Sequence, residues 1–523
     1  MIQYTLASEL LAQQAAAPAE MLSNPSIEYL TLAPLLIVLG GAFLAIILEA
    51  AVPRAARAVV QMVVSAVTLI AAFSMLVVNW VNGNFSLAAS GMLAIDKASY
   101  LVQGALIIFG AMSLLLFTSK HSRNLKQTEE SRSEYTEIYA IALFSLFGMM
   151  LFASANNLLM LFVALEIMSL PLYVLTALAY YRRQQAQEAS LKYFLLGVLA
   201  AAIMLYGIVF LYAATGSLSF AAIAEQSAST AKPSLLLLGI MLVVIGLLFK
   251  VGAVPFHSWV PDVYQGAPTP VTAFMAICTK LAAVAALARI LTIAVPLDPK
   301  QWDLVIIALA IVSMIFGALV TMTQTNIKRL IAYSSITHAG FIIVALVGAN
   351  RGLLSVAGLE FSVISAILVY LVAYGLATIG AFAIVTLVRK ETGEESTAIS
   401  SWAGLGREHP WLGAAFALFF LSLAGFPITA GFIGKFTVFA VPWLAGYSWL
   451  VVVALLVSAL AAYAYVRVII VMFFHKPENN TVVSMPNVAV GVVVILTAVL
   501  TVLMGILPGP VLGLLNEAGM FMM

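Results

Sequence analysis

Apolar runs of roughly 20 residues recur along this chain, separated by short polar breaks. Each run is long enough to cross a bilayer as a helix, and none alternates apolar and polar positions as a barrel strand would. Lipid offers no partner to a free backbone N–H or C=O, so helices are the spanning structure these runs allow. The pattern predicts an all-α polytopic membrane protein with about fourteen transmembrane helices. They fall at 30–49, 58–80, 98–118, 135–154, 157–178, 189–213, 235–260, 270–294, 302–323, 328–348, 360–388, 410–445 with a break, 447–473 and 487–508.

The basic residues orient these spans. Odd-numbered loops hold 15 Lys and Arg, among them Arg54, Arg57, Lys328, Arg329, Arg389 and Lys390, whereas even-numbered loops hold four, Lys97, Lys232, Lys300 and Arg351. Cytoplasmic loops carry the excess of basic residues, so the odd loops are expected in the cytoplasm and both termini outside. Residues 1–20 are polar without Lys or Arg, unlike a signal peptide, and read as an extension or a start-site choice.

Composition narrows the function. Of 523 residues 63% are hydrophobic and 9% charged, so the solvent of this chain is mostly lipid. A net charge of +2 points to no nucleic-acid partner. One cysteine, Cys278, excludes disulfides within the chain, zinc fingers and cysteine-ligated iron–sulfur clusters. Of five histidines, His257 and His338 alone are placed near membrane depth, so a bis-histidine haem is not expected. There is no Walker loop, no dinucleotide fingerprint and no metal-ligand cluster, so any driving energy must come from a partner or an ion gradient.

Five cations remain inside apolar runs: Lys192, Lys250, Lys280, Arg289 and Lys435. Arg289 is near a span end and is expected to snorkel. The other four read as deep, where a charge costs a few kcal/mol, and such residues mark ion or proton pathways. An ion-paired structural lysine is the competing account for each. Glu166 is the one equally deep acid and the natural counter-ion for Lys192 or Lys250. His338, in YSSITH (333–338), has two ring nitrogens with which to pass a proton. Two spans look broken, at Gly252 and Pro255 beside Lys250, and at GFPITAG (425–431) before Lys435. Interrupted helices in two halves point to inverted repeats, here spans four to eight and nine to thirteen.

The stretch FKVGAVPFHSWVPDVY (249–264), followed by GAPTPV (266–271), resembles the signature of the antiporter-like membrane subunits of respiratory complex I. EASLKYFLLG (188–197), QTNIKRLIAYSS (324–335) and AGFIGKF (430–436) resemble its subunit 2 type, called NuoN in bacteria. LPLY (170–173) and WAGLG (402–406) are similar to actinobacterial versions, in which the quinone is menaquinone. The resemblance implies proton translocation coupled to NADH–quinone oxidoreduction in the bacterial plasma membrane. It implies a switchable pair of Glu166 and Lys250, a central Lys280, a bridging His338, a terminal Lys435 and a sixth-helix Lys192. Two inverted five-helix repeats, 134–295 and 302–473, would form half-channels, flanked by 1–133 and 474–523. NADH, FMN, iron–sulfur clusters and quinone would sit on partner subunits, with none on this chain. Glu360 has no counterpart in this scheme. The competing readings are a subunit of a multi-subunit sodium/proton antiporter, a passive scaffold, and an integral enzyme acting on lipid.

Overall fold

The computed structural model describes residues 27–118, 136–178, 183–227, 230–294, 299–347, 354–356, 359–390, 395–477, 481–483, 488–519 and 521–522. The terminal extension 1–20 and the charged segment 119–134 lie outside the described residues. The spanning helices are α1 (Tyr29–Ala51), α2 (Arg54–Val81), α3 (Lys97–Leu116), α4 (Glu137–Ser154), α5 (Leu158–Ala177), α6 (Arg183–Thr215) and α7 (Pro233–Val251). There follow α8 (Thr269–Ala294), α9 (Pro299–Thr323), α10 (Ile327–Ala345), α11 (Val363–Val385), α12 in two pieces (Pro410–Ala424 and Ala430–Leu444), α13 (Ser448–Phe474) and α14 (Val488–Ile506). Among the described residues, twelve helices are long and apolar enough to cross a membrane. The polar-diluted α10 and the divided α12 complete the fourteen that the apolar pattern predicts.

Two glycines set the breaks. α7 stops at Val251, short of the expected 260, because Gly252 turns left-handed (φ +78°), which glycine adopts without a Cβ clash. A short helix, Trp259–Gly266, then leads into α8. The first piece of α12 ends the same way at Gly425 (φ +84°). In both places a proline follows, Pro255 and Pro427, and it cannot donate to continue a helix.

The helices differ in how much of each is buried in the bundle. The apolar window of α8 is 100% buried and that of α11 94%, whereas those of α2 and α14 are 33% and 28% buried. α8 also carries two π-helical turns, Met275–Thr279 and Ile290–Ala294, the first ending directly before Lys280. Such turns often mark functional positions in helices.

The halves share a local plan. Asn157 caps α5 with its side chain and forms an isolated bridge to Ser219, beyond α6. Asn326 caps α10 and bridges to Ala398, beyond α11. Gly148 of α4 brings its backbone against Met168 of α5, and Gly317 of α9 does the same against Thr337 of α10. Gly148, Asn157 and Met168 have the same spacing as Gly317, Asn326 and Thr337. At equivalent positions in the two sets stand Glu166 and Ser335.

Candidate functional site

Lys250 occupies the last turn of α7 and is 3% exposed. Its Nζ donates to the Tyr193 hydroxyl at 3.4 Å and lies 4.9 Å from the Tyr193 ring centroid and 5.5 Å from that of Tyr173. Aromatic faces attract a cation without neutralising it. Tyr193 is stacked on Trp259 at 4.7 Å, and the Trp259 indole N–H closes the Phe249 carbonyl at 2.8 Å. The short helix after the break therefore braces the ring that holds the lysine. Glu166, half-buried on α5, is the acid whose charge Lys250 feels, and the two do not form a contact ion pair.

At the centre, Lys280 is 3% exposed and donates to both the carbonyl and the hydroxyl of Ser335, each at 2.6 Å. One turn further along α10, His338 has both ring nitrogens against hydroxyls: Nδ1 is 2.5 Å from Tyr370 and Nε2 3.3 Å from Tyr465. Tyr465 also makes a close hydrogen bond with Ser334. Lys435, on the second piece of α12, donates to the Ala424 carbonyl at 2.6 Å and to the Ser458 hydroxyl at 2.7 Å. Ala424 ends the first piece, so the lysine satisfies a carbonyl that the break leaves open. Between His338 and Lys435 lies a small cavity, also lined by Tyr370, Tyr374, Ser422 and Gly431, with room for about one water.

Among the described residues, Lys250, Lys280 and Lys435 make no ion pair. All three are nevertheless buried. A buried ammonium held only by neutral acceptors gives up its proton without stranding a carboxylate, which is what a proton carrier needs.

Other cations are placed differently from the sequence expectation. Lys192 is not buried in the bundle: its side chain is 44% exposed and bridges Glu188 (2.8 Å) and Asp262 (2.9 Å) rather than Glu166. α6 has 33 residues, about 50 Å of helix against a hydrocarbon core of about 30 Å, so its first turns protrude. Asp262 is shared with Arg329 at 2.8 Å. Burial would raise the Asp262 carboxyl, but hydrogen bonds and charge from Lys192 and Arg329 outweigh it and hold the group below its ordinary range.

Arg289 does not snorkel. It is 1% exposed, with Nη1 2.9 Å from Asp96 Oδ2 and Nη2 2.9 Å from Asp96 Oδ1. Lys328, expected in a loop, is fully buried in the first turn of α10, 3.7 Å from Glu395 and donating to the Ala267 carbonyl at 2.7 Å. Sequence reasoning also missed the tyrosines: Tyr193, Tyr370 and Tyr465 sit in apolar runs as ordinary aromatics, and only the folded chain turns their hydroxyls onto the buried lysine and histidine. The side chain of Glu360 lies outside the described residues.

Fold and site together define a multi-pass helical membrane protein with ionisable side chains buried at its centre. Residues 155–462 match the family described as NADH:quinone oxidoreductase/Mrp antiporter, TM. NADH-quinone oxidoreductase subunit N of Cutibacterium acnes is 41% identical over 98% of this chain and 99% of that protein. A chain of respiratory complex I from Thermus thermophilus, solved with bound aureothin, is 35% identical with a TM-score of 0.76, covering 93% of this chain and all of that one. The Mrp complex of Dietzia contains a chain with the same fold (TM-score 0.78, 94% of this chain and 97% of that one), at 19% identity. The chain belongs to the NADH:quinone oxidoreductase/Mrp antiporter family, as a member of its subunit N type.

Proposed function

We propose that this chain is a proton-translocating membrane subunit of NADH-quinone oxidoreductase, assembled with the other membrane subunits of that complex. The observation that carries the reading is the set of three buried lysines that make no contact ion pair among the described residues, spread over α7, α8 and α12 of a subunit N-type chain. Glu166 and Lys250 form a switchable pair, Lys280 the central carrier, His338 the bridge and Lys435 the terminal group. Lys192, with Glu188 and Asp262, stands at the protruding end of α6, where a proton is collected rather than stored. The halves 134–295 and 302–473 act as two half-channels. NADH, FMN, iron–sulfur clusters and the quinone, here menaquinone, belong to partner subunits. The chain spans the bacterial plasma membrane with its odd loops in the cytoplasm and both termini outside.

A direct test uses inverted membrane vesicles containing the whole complex with parental or Lys280→Ala chain. NADH is expected to acidify the parental vesicles, and the variant to lose most of that signal at an unchanged level of assembled complex. Parental rates in the variant would remove Lys280 from the path. Proton movement driven by a sodium gradient, with NADH inert, would instead favour the Mrp-type antiporter.

The break in α12 gives a second test. A Cβ on Gly425 would lie 2.7 Å from Lys435 Cδ and 3.0 Å from its Nζ. Gly446 has a similar φ, +89°, with nothing within 4 Å of an added Cβ. Both Gly→Ala changes carry a left-handed strain of about 1–2 kcal/mol. Gly425→Ala is expected to lower proton pumping severalfold and Gly446→Ala to leave it unchanged, both measured per assembled complex. Equal pumping in the two variants would mean that the Lys435 position is not critical.

A further inference from the structure

We propose that the hydroxyls of Tyr370 and Tyr465 are themselves proton-relay groups, one on each side of His338, and that Tyr370 delivers to the cavity that leads to Lys435. The inference rests on the relay reading above and adds two residues to it.

The geometry is specific. Both nitrogens of the buried His338 ring face a phenolic hydroxyl, at 2.5 and 3.3 Å. A neutral imidazole donates from one nitrogen and accepts at the other. A hydroxyl both donates and accepts, so either tautomer of His338 is satisfied once the two hydroxyls reorient. Conversion from one tautomer to the other then amounts to the net passage of one proton through the ring. Tyr465 or its Ser334 partner supplies a proton at Nε2 and Nδ1 releases one to Tyr370. Each hydroxyl takes a proton onto oxygen as it gives up its own, so after a passage both are again neutral.

The far side of Tyr370 has somewhere to send the proton. The residue lines the cavity shared with His338 and Lys435, which is sized for about one water. Packing also fixes the place of the tyrosine, because the backbone of Gly434, next to Lys435, approaches so closely that a Cβ there would lie 3.1 Å from Tyr370 Cα. The ring is thus held against the helix piece that carries the receiving lysine. Tyr465 performs the matching task on the other side, held between Ser334 and His338.

The test uses the intact complex in inverted vesicles with Tyr370→Phe, Tyr465→Phe, His338→Ala and Tyr100→Phe. Tyr→Phe keeps the ring and removes only the hydroxyl. Tyr100 is a buried tyrosine whose hydroxyl donates to the Thr31 and Asn84 carbonyls, outside the proposed path, and controls for the loss of a buried hydrogen bond. Rates of NADH-driven acidification, per assembled complex, are compared in H2O and D2O. Tyr370→Phe and Tyr465→Phe are each expected to slow acidification about tenfold, the low end of what a positioned proton-transfer group contributes, and to raise the solvent isotope effect. Tyr100→Phe is expected to change neither. A merely structural tyrosine would lower the amount of assembled complex and leave the isotope effect per complex unchanged. If either tyrosine variant pumps at the parental rate while His338→Ala is impaired, the relay stands and the tyrosine link is wrong. If His338→Ala also pumps at the parental rate, the relay reading itself falls.

Discussion

Replacing Lys250 with Met is expected to abolish most of the coupled activity while leaving the complex assembled. The two expectations come from one fact, that this ammonium is buried with neutral partners. Holding a cation at that depth costs a few kcal/mol, so removing the charge while keeping an apolar side chain of similar length relieves a penalty. Assembly and thermal stability should be equal to the parent or higher. A proton path through the site, however, loses its carrier and Glu166 loses the charge it responds to. NADH–quinone turnover and vesicle acidification should fall together by at least about tenfold, or about 1.4 kcal/mol in barrier height. Moving one charge against 100 mV takes about 2.3 kcal/mol, so a defect of that order is enough to stall the cycle. A structural lysine would give the opposite pattern, with less assembled complex and normal turnover per complex. Turnover above half the parental rate at full assembly would exclude Lys250 from the path. Lys250→Arg separates charge from proton transfer. It restores a cation that does not deprotonate in proteins, so activity should stay low even where the cage accepts it.

Much of this site was legible in the sequence because lipid makes charge conspicuous. Lys250, Lys280 and Lys435 stand out as cations in apolar runs, and Gly252, Pro255, Gly425 and Pro427 announce the breaks. What was not legible depended on length or on distant pairing. Lys192 looks deep only if α6 is assumed to end with the bilayer, and a 33-residue helix does not. Arg289 looks like a snorkelling side chain until α3 brings Asp96 to it from 193 residues away. Lys328 looks like a loop cation until the chain returns with Glu395. The tyrosines are silent because their hydroxyls matter only by direction. The shared plan of the halves was nearly legible: the Gly148–Asn157–Met168 spacing repeats at Gly317–Asn326–Thr337, but one cap asparagine and one contact glycine per half are too few to see without the bridges they make.

The equivalence of Glu166 and Ser335 has a chemical consequence. In the first half the position offers a carboxylate, which pairs at a distance with Lys250 and responds to its charge. In the second half it offers a hydroxyl and a carbonyl, which bind Lys280 at 2.6 Å without a charge of their own. A carboxylate and a neutral cradle thus occupy the same place in two copies of one plan.

Arg289→Met should do the reverse of Lys250→Met and cost the protein its stability. The guanidinium and the Asp96 carboxylate face each other across two 2.9 Å contacts, at 1% and 5% side-chain exposure. The carboxylate also accepts from the amides of Ser99 (2.7 Å) and Met522 (3.0 Å), and the Phe521 ring lies 4.2 Å from the guanidinium carbon. The C-terminal segment thereby seals the pair. Removing the arginine alone strands a buried carboxylate, which typically costs about 3–5 kcal/mol. The expected result is a marked loss of assembled complex and a lower Tm for what remains. Adding Asp96→Asn removes the stranded charge while keeping the side-chain cap on α3, so the double variant should recover most of the loss. Burial would raise the Asp96 carboxyl, but Arg289 and the two amides outweigh it and hold the group below its ordinary range. A carboxyl lowered on folding contributes stability that is fully present above its unfolded value and lost as pH falls through the folded one. The parent's stability relative to the double variant should therefore stay constant through neutral and mildly acid media and fall in strong acid. Full assembly and an unshifted Tm for Arg289→Met would show that the pair does not hold α3 to α8. The two variants together would then test a physical sorting of buried cations in this fold: one locked to a carboxylate is expected to fix the shape, and one held by hydroxyls, carbonyls and rings to change its proton.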